Sequence, residues 1–257
     1  MGEETPGNVA IAPAAIDRAV EVFVHGFAYT RSFTHPYLAE RVGPVWVLRD
    51  APRKRGDYRG EEWVAHNVPP EEIDYIARTE TRGRFSICMI CALQEPQEAL
   101  RARFKELDYR LLRTEPLMVH PLAQMPQVEA PARIERVLTA ELAARLAKAA
   151  RSRQILPEHF AADAPLRQYV ALIDEELVGW VRSIVVREAT WCSNMYVSPP
   201  YRRRGIARAL LCRMLEDDRA GGAKSAVLLA SHTGAKLYPV VGYQEIGELL
   251  LFAPKQR

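Results

Sequence analysis

Between Asn194 and Leu211 the chain reads NMYVSPPYRRRGIARALL, with Arg202, Arg203 and Arg204 leading into Gly205 at the start of an amphipathic run. That spacing suits a phosphate cradle. The first backbone N–H groups of a helix have no partner inside it, and the aligned peptide dipoles leave about half a positive charge at that end. Anions settle there. Gly205, lacking a Cβ, admits a phosphate close to the main chain and tolerates unusual backbone angles. The guanidinium groups add charge and forked donors. A pyrophosphate matches this set better than a lone carboxylate, and the plainer alternative is a basic, solvated helix start.

The elements that hold the turn are a strand ending near Val197, broken by Pro199 and Pro200, and a helix opening after Gly205. Downstream lies SAVLLASHTGAKLYPVVGYQEIGELLLF, residues 225–252. Its apolar run Ala226 to Ala230 predicts a buried strand. Ser231 to Val241 predicts a short helix closed by Gly242, and Tyr243 to Phe252 a last strand.

In this context Arg202-Arg203-Arg204-Gly205-Ile206-Ala207 resembles the acyl-CoA-binding turn, Q/R-x-x-G-x-G/A after a strand, of the GCN5-related N-acetyltransferases, the GNAT superfamily. Leu237-Tyr238-x-x-x-Gly242-Tyr243 resembles that family's L-Y-x-x-x-G-F/Y signature. The resemblance implies an α/β (α+β, GNAT-like) fold, a central mixed and mostly antiparallel sheet flanked by helices. It implies acetyl-CoA as co-substrate, held by Met195, Tyr196 and Val197, by Arg202 through Arg208 (Arg203, Arg204, Gly205, Ile206 and Ala207 between them), and by Ser231. The implied activity is transfer of an acetyl group to the primary amine of a small molecule or amino-acid-like acceptor, by direct attack in a ternary complex. The alternatives are a non-catalytic acyl-CoA-binding or regulatory module, or acetylation of protein lysines or N-termini.

Acetyl transfer to an amine needs a neutral nucleophile, stabilisation of the carbonyl oxygen and a proton for the departing thiolate. The resemblance puts Tyr238 near the sulfur, where a phenol is an available acid; the alternative is a core tyrosine. It implies a backbone N–H of the strand Asn194 to Val197 as oxyanion donor, where that strand splays from its neighbour. Among the nearby carboxylates Glu188, Glu175 and Glu176, Glu188 is the expected general base, set against a solvated turn residue. Orientation of two bound reactants is itself worth up to about 7–11 kcal/mol, so a strong base is not mandatory. His232 reads as a surface residue. The segment SRQILPEHFAADAPLRQ, in which LPEHFAADAPLRQ reads as a second, irregular helix, is expected to line the acceptor pocket, with Glu158 and Asp163 facing a cationic amine.

These motifs occupy the last quarter of the chain. LAQMPQVEAP, residues 122–131, reads as a linker, which sets domains at 1–125 and 126–257. After it come a strand in ARIERVLT, an Ala-rich helix in AELAARLAKAARS, a hairpin turning at Asp174 and Glu175, and the strand ATWCSNMYV. The N-terminal half reads as an eroded second copy, the alternative being chance similarity between two α/β segments. PPEEIDYIAR from Pro69 lies against PPYRRRGIAR from Pro199, and Tyr109 against Tyr243, at separations of 40 and 44 residues. A repeat on that scale reshapes the reading of a chain. Opposite Arg202, Arg204 and Gly205 stand Glu72, Asp74 and Tyr75, and opposite Tyr238 stands Phe104. Phosphate is repelled at such a turn, so the first half should form a wall of the acceptor site or a homodimer surface.

Composition fits an enzyme: 257 residues, 48% hydrophobic and 26% charged. A net charge of +3, and an arginine cluster with no interleaved aromatics, do not favour nucleic acid. No apolar run reaches the ~20 residues of a membrane span, and the acidic start MGEETPGNVAIAP is unlike a leader, so a cytoplasmic location is expected. Six histidines without close pairing predict no metal. Cys88 and Cys91 lie in one apolar strand, where alternation sends the thiols to opposite faces.

Overall fold

A computed structural model describes residues 13–54, 56–126 and 128–255; the acidic N-terminal stretch lies outside them up to residue 12. The first half runs α1 (Pro13–Arg31), β1 (Tyr37–Val42), β2 (Val45–Asp50), β3 (Glu61–His66), α2 (Pro70–Glu80), β4 (Phe85–Ala92), α3 (Gln97–Glu106) and β5 (Tyr109–His120). The second runs β6 (Arg133–Arg136), α4 (Ala140–Ala150), β7 (Leu166–Ile173), β8 (Glu176–Val186), β9 (Ala189–Val197), α5 (Ile206–Ala220), β10 (Ser225–Leu229) and β11 (Gln244–Pro254). None of the described helices is long and apolar enough to cross a membrane.

All eleven strands join one sheet in the order β1-β2-β3-β4-β11-β5-β10-β9-β8-β7-β6. Pairing is antiparallel except at β3/β4 and β9/β10. The sheet is thus mixed and mostly antiparallel, as the resemblance implies. Its centre carries an exchange: β5 of the first half pairs with β10, β11 of the second pairs with β4, and β5 and β11 pair with each other. Each half completes the other's strand set.

The two segments aligned in the sequence carry similar ring pairs. Phe104 meets Tyr109 edge-on, centroids 5.5 Å apart, and Tyr238 meets Tyr243 in the same manner at 5.6 Å. In each case the residue just before the second ring has positive φ, Asp108 at 63° and Gly242 at 103°. Gly242 meets this cheaply, whereas Asp108 is one of the few side chains that tolerate it.

Side chains alternate between two faces. One face packs α1 and α4 into a core that spans both halves, from Ile16 and Phe23 to Ile184 and Trp191. The other splits into a cluster under α5, with Cys192, Tyr238 and Tyr243, and one under α2 and α3, with Phe104, Tyr109 and Phe252. Cys88 joins the first face and Cys91 the opposite one, both buried. Burial pushes both thiols up, Cys91 to about 12. At neutral pH they are unreactive thiols.

α1 approaches β9 so closely that a Cβ on Gly26 would lie 2.3 Å from the Trp191 Cβ. Gly26→Ala would add up to about 1 kcal/mol of helix propensity. The clash is with an atom one bond from the main chain, however, and overpacking of a rigid core costs about 1–3 kcal/mol. We therefore expect Gly26→Ala to lower the denaturant midpoint, and an unchanged or raised midpoint would show that α1 shifts freely on the sheet.

Two local expectations are corrected. The predicted helix over residues 156–168 shrinks to one 3-10 turn, Pro157–Phe160, and Leu166 already belongs to β7. Pro157 and Pro165 bracket a segment too short to propagate a helix. The predicted helix over residues 231–241 is a series of turns ending in a 3-10 turn, Tyr238–Val241. Pro239 lacks the N–H that a longer helix would need. The hairpin through Asp174 and Glu175 forms with both residues at positive φ, 48° and 63°, the requirement of a tight type I′ connection.

Candidate active site

β9 and β10 begin side by side and then part. Their parallel pairing runs only from Ala189↔Ser225 to Trp191↔Val227, after which β9 continues six residues unpaired on that side. Against β8 the register steps from Arg182↔Ser193 to Trp180↔Tyr196, so Val181 faces two residues, with Asn194 at φ 56°. This is a β-bulge, which bends a strand and unhooks main-chain groups from the ladder. Met195, Tyr196 and Val197 therefore border an opening between two strands.

The arginine turn hangs directly off the end of β9. Gly205 stands before the first residue of α5 at φ 81°, a left-handed angle that L side chains adopt at a cost. A Cβ there would meet nothing nearer than Pro131 Cγ at 3.7 Å. Gly205 is thus fixed by backbone angle rather than by crowding. The amides of Arg203, Arg204 and Gly205 donate to no acceptor among the described residues, and Ile206, Ala207 and Arg208 follow in the first turn of α5. Arg202 is tethered, its Nε donating to the Val197 carbonyl at 2.9 Å, with its guanidinium over Tyr196, which itself stacks on Trp180. Arg203 and Arg204 are exposed, the latter above Tyr201.

α5 is pinned from beneath by Asp218, whose buried carboxylate accepts from Ser183 Oγ at 2.7 Å and Thr190 Oγ1 at 2.8 Å and pairs with Arg167 at 2.9 Å. Burial pushes its pKa up against the opposing effect of these bonds. Uncompensated, a buried carboxylate would be unaffordable; here three strands lend donors to hold one helix.

Tyr238 lies on the α5 side of the sheet, buried beside Tyr243. A side chain at Gly234 would meet Ser231 Oγ at 3.1 Å and the Tyr238 ring at 3.4 Å, so Ser231 and Tyr238 are close neighbours. Burial, with the Cys192 thiol beside it, raises the Tyr238 pKa above its usual value. The phenol keeps its proton throughout the neutral range. His232 is exposed and bonded to Thr114 Oγ1 at 3.0 Å.

Glu188 is not brought to this place. It sits in the turn before Ala189, at the opposite end of the nine-residue β9 from Val197, roughly 30 Å away at ~3.3 Å per residue. Its exposed carboxylate pairs with Lys224 Nζ at 2.7 Å. The sequence places it on a central strand, but the direction of β9 carries it away. Glu158 and Asp163 are also exposed.

On the α1 side, the opening meets a cavity of about 680 Å³ that Ser193 and Asn194 of β9, Leu229 of β10 and Arg182 of β8 help to line. It extends beneath α1 to Glu62 and Cys88 of the first half. Gln154 anchors its wall, with Oε1 accepting from Asn194 Nδ2 at 2.5 Å and from Arg182 Nη2. Burial pulls the Arg182 pKa down to about 10, so it remains a cation at neutral pH. Sequence reasoning missed Arg182, although a cation at the centre of LVGWVRSIVV was a visible signal.

Residues 165–245 match the family model of the acetyltransferase (GNAT) domain. Among solved structures, a GCN5-related N-acetyltransferase from Kribbella flavida is similar over 97% of both chains, with TM-score 0.66 and 16% identity. A putative acetyltransferase of the GNAT family from Novosphingobium aromaticivorans is similar over 93% of this chain and 99% of its own, with TM-score 0.54 and 15% identity. A tandem GNAT protein from the clavulanic acid biosynthesis pathway is similar over 96% and 98%, with TM-score 0.53 and 12% identity. At such identities the likeness is one of fold, and no curated protein matches the chain significantly. The domain match in the second half and the full-length likeness of fold agree with the turn and the parted strands: the chain has a GNAT-like fold, and residues 165–245 match the acetyltransferase (GNAT) domain.

Proposed function

We propose that this protein transfers an acetyl group from acetyl-CoA to the primary amine of a small, amino-acid-like acceptor, by direct attack in a ternary complex. The observation that carries the reading is the gap between β9 and β10, which has unpartnered amides and a protonated phenol on one face and a cavity on the other. Two reactants entering from opposite faces meet in that gap.

In this reading Arg202, Arg203 and Arg204 and the amides from Arg203 to Arg208 hold the pyrophosphate. The residues present fit it, because the left-handed Gly205 turns consecutive N–H groups outward at a helix N-terminus. Main-chain groups of Met195, Tyr196 and Val197 orient the pantetheine arm, with Ser231 beside it, and an N–H freed by the bulge stabilises charge on the carbonyl oxygen. The bound thioester supplies an activated acyl group. Tyr238 gives its proton to the departing thiolate, and the proton shed by the attacking amine nitrogen restores the phenol, directly or through solvent, so that the enzyme ends unchanged.

The two halves, 1–125 and 126–257, are in this reading GNAT-like units that have exchanged their last strands, and only the second holds acyl-CoA. α2 starts at Pro70 with Glu71 and Glu72 in its first turn and no arginine loop before it. Asp74 is occupied by Arg78 and the Tyr109 hydroxyl. The first half contributes the far wall of the acceptor cavity.

The carboxylates that line the cavity, Glu62 and Glu115, are paired with Arg31 at 3.0 Å and Arg113 at 2.8 Å. The amine is therefore expected to arrive neutral rather than to be deprotonated by a free base. The acid limb of kcat/KM should follow the acceptor, moving down by about one unit for an amine whose pKa is one unit lower. A limb fixed across acceptors would point to a group on the enzyme. The reading itself is tested by thiol release from acetyl-CoA against a panel of amines: amine-dependent release supports it, and CoA binding without turnover of any acceptor contradicts it.

A further inference from the structure

Arg182 is a buried cation without a counter-charge among the described residues. Only 8% of its surface is exposed, it forms no salt bridge with a described carboxylate, and its Nε is buried without a hydrogen-bond partner. Its hydrogen bond is through Nη2 to Gln154. An arginine cannot accept, so Gln154 must present Oε1 to it, and the same oxygen takes the Asn194 bond. Gln154 Nε2 is engaged by Ser152 O at 3.2 Å and Ser152 Oγ at 2.6 Å. The amide is thereby locked, and the guanidinium is held against the bulge. Nη1 has no hydrogen-bond partner among the described residues.

The charges around the cavity leave the same imbalance. Arg31 cancels Glu62 and Arg113 cancels Glu115, while Arg182 and the exposed Arg153 remain uncompensated. A buried, unpaired guanidinium is costly unless an anion completes it. Its planar fork matches a carboxylate.

We propose that Arg182 binds a carboxylate of the acceptor, so that the substrates are amino acids whose free carboxylate lies within a few bonds of the amine to be acylated. This rests on the acyl-transfer reading above. Arg182 and Asn194 share one acceptor atom, so a carboxylate seated on Arg182 places a neighbouring α- or β-amine at the gap between β9 and β10. A long diamine or a decarboxylated amine leaves the cation unmatched. The acidic recognition expected of Glu158 and Asp163 is replaced by cationic recognition.

The test is equilibrium binding by calorimetry, on the full chain saturated with CoA, of the common amino acids against their carboxamides and decarboxylated amines. At least one free acid should bind about ten- to hundredfold more tightly than its amide, the range for a charged hydrogen bond. Arg182→Gln should erase that preference while keeping CoA affinity and the unfolding midpoint, and Arg182→Lys should keep part of it. Equal binding of acids and amides, or a preference that survives Arg182→Gln, overturns the proposal whether or not turnover occurs. A carboxylate preference without thiol release from acetyl-CoA would uphold it and instead defeat the acyl-transfer reading.

Discussion

Replacing Arg202 with Glu and Arg204 with Asp is expected to weaken CoA binding by at least about a hundredfold. Each charge-assisted hydrogen bond to phosphate is worth about 1.5–3 kcal/mol, and two are removed and reversed. The α5 N-terminus remains, but its dipole contributes only about 0.3–1 kcal/mol at an exposed site. The fold should not notice: both side chains are exposed, and what is lost is one hydrogen bond from Arg202 to the Val197 carbonyl and the ring contacts of Arg202 with Tyr196 and Arg204 with Tyr201. Calorimetric titration against Arg213→Glu, a charge reversal further along the same helix, separates a local effect from a general one. Equal affinities in the two variants would show that the anion site lies elsewhere.

The second large effect is expected at Tyr238. Tyr238→Phe preserves the ring contact with Tyr243 and removes only the hydroxyl, so CoA affinity should stay within about twofold while kcat falls about 10²–10⁴-fold, the range for general acid–base catalysis. The pH dependence has a definite sign. Burial raises this phenol above its usual value, so the acid form persists at all pH values below that value and is lost only above it. The kcat of the unmodified enzyme should hold level to about pH 10. A fall near pH 8 would assign the proton to another group, and an undiminished kcat in Tyr238→Phe would make Tyr238 a core residue.

Much of this was legible because it is local. The arginine turn, the hairpin at Asp174 and Glu175 and the burial of Cys88 and Cys91 on opposite faces follow from neighbouring residues and from periodicity. The correspondence of Phe104 with Tyr238, and of Tyr109 with Tyr243, came from laying one half on the other, whereas the ring contacts within each half needed the packed structure. The strand exchange could not be anticipated, because β4 accepts β11 across about 160 residues of chain, and the alternation of β11 suits either neighbour. The position of Glu188 failed for a related reason: membership of a strand does not say which end faces the site. Arg182 was missed because its meaning depends on what is absent around it, a partner carboxylate, and only the packed structure shows that.

A crystal structure of the full chain with CoA should find the pyrophosphate about 3 Å from the amides that follow Arg202, with the sulfur between β9 and β10 facing Tyr238 and the cavity of Arg182 open beyond it. CoA seated against α2 in the first half, or with its sulfur turned away from the gap, would contradict the central claim that the second half alone carries the acyl-CoA site.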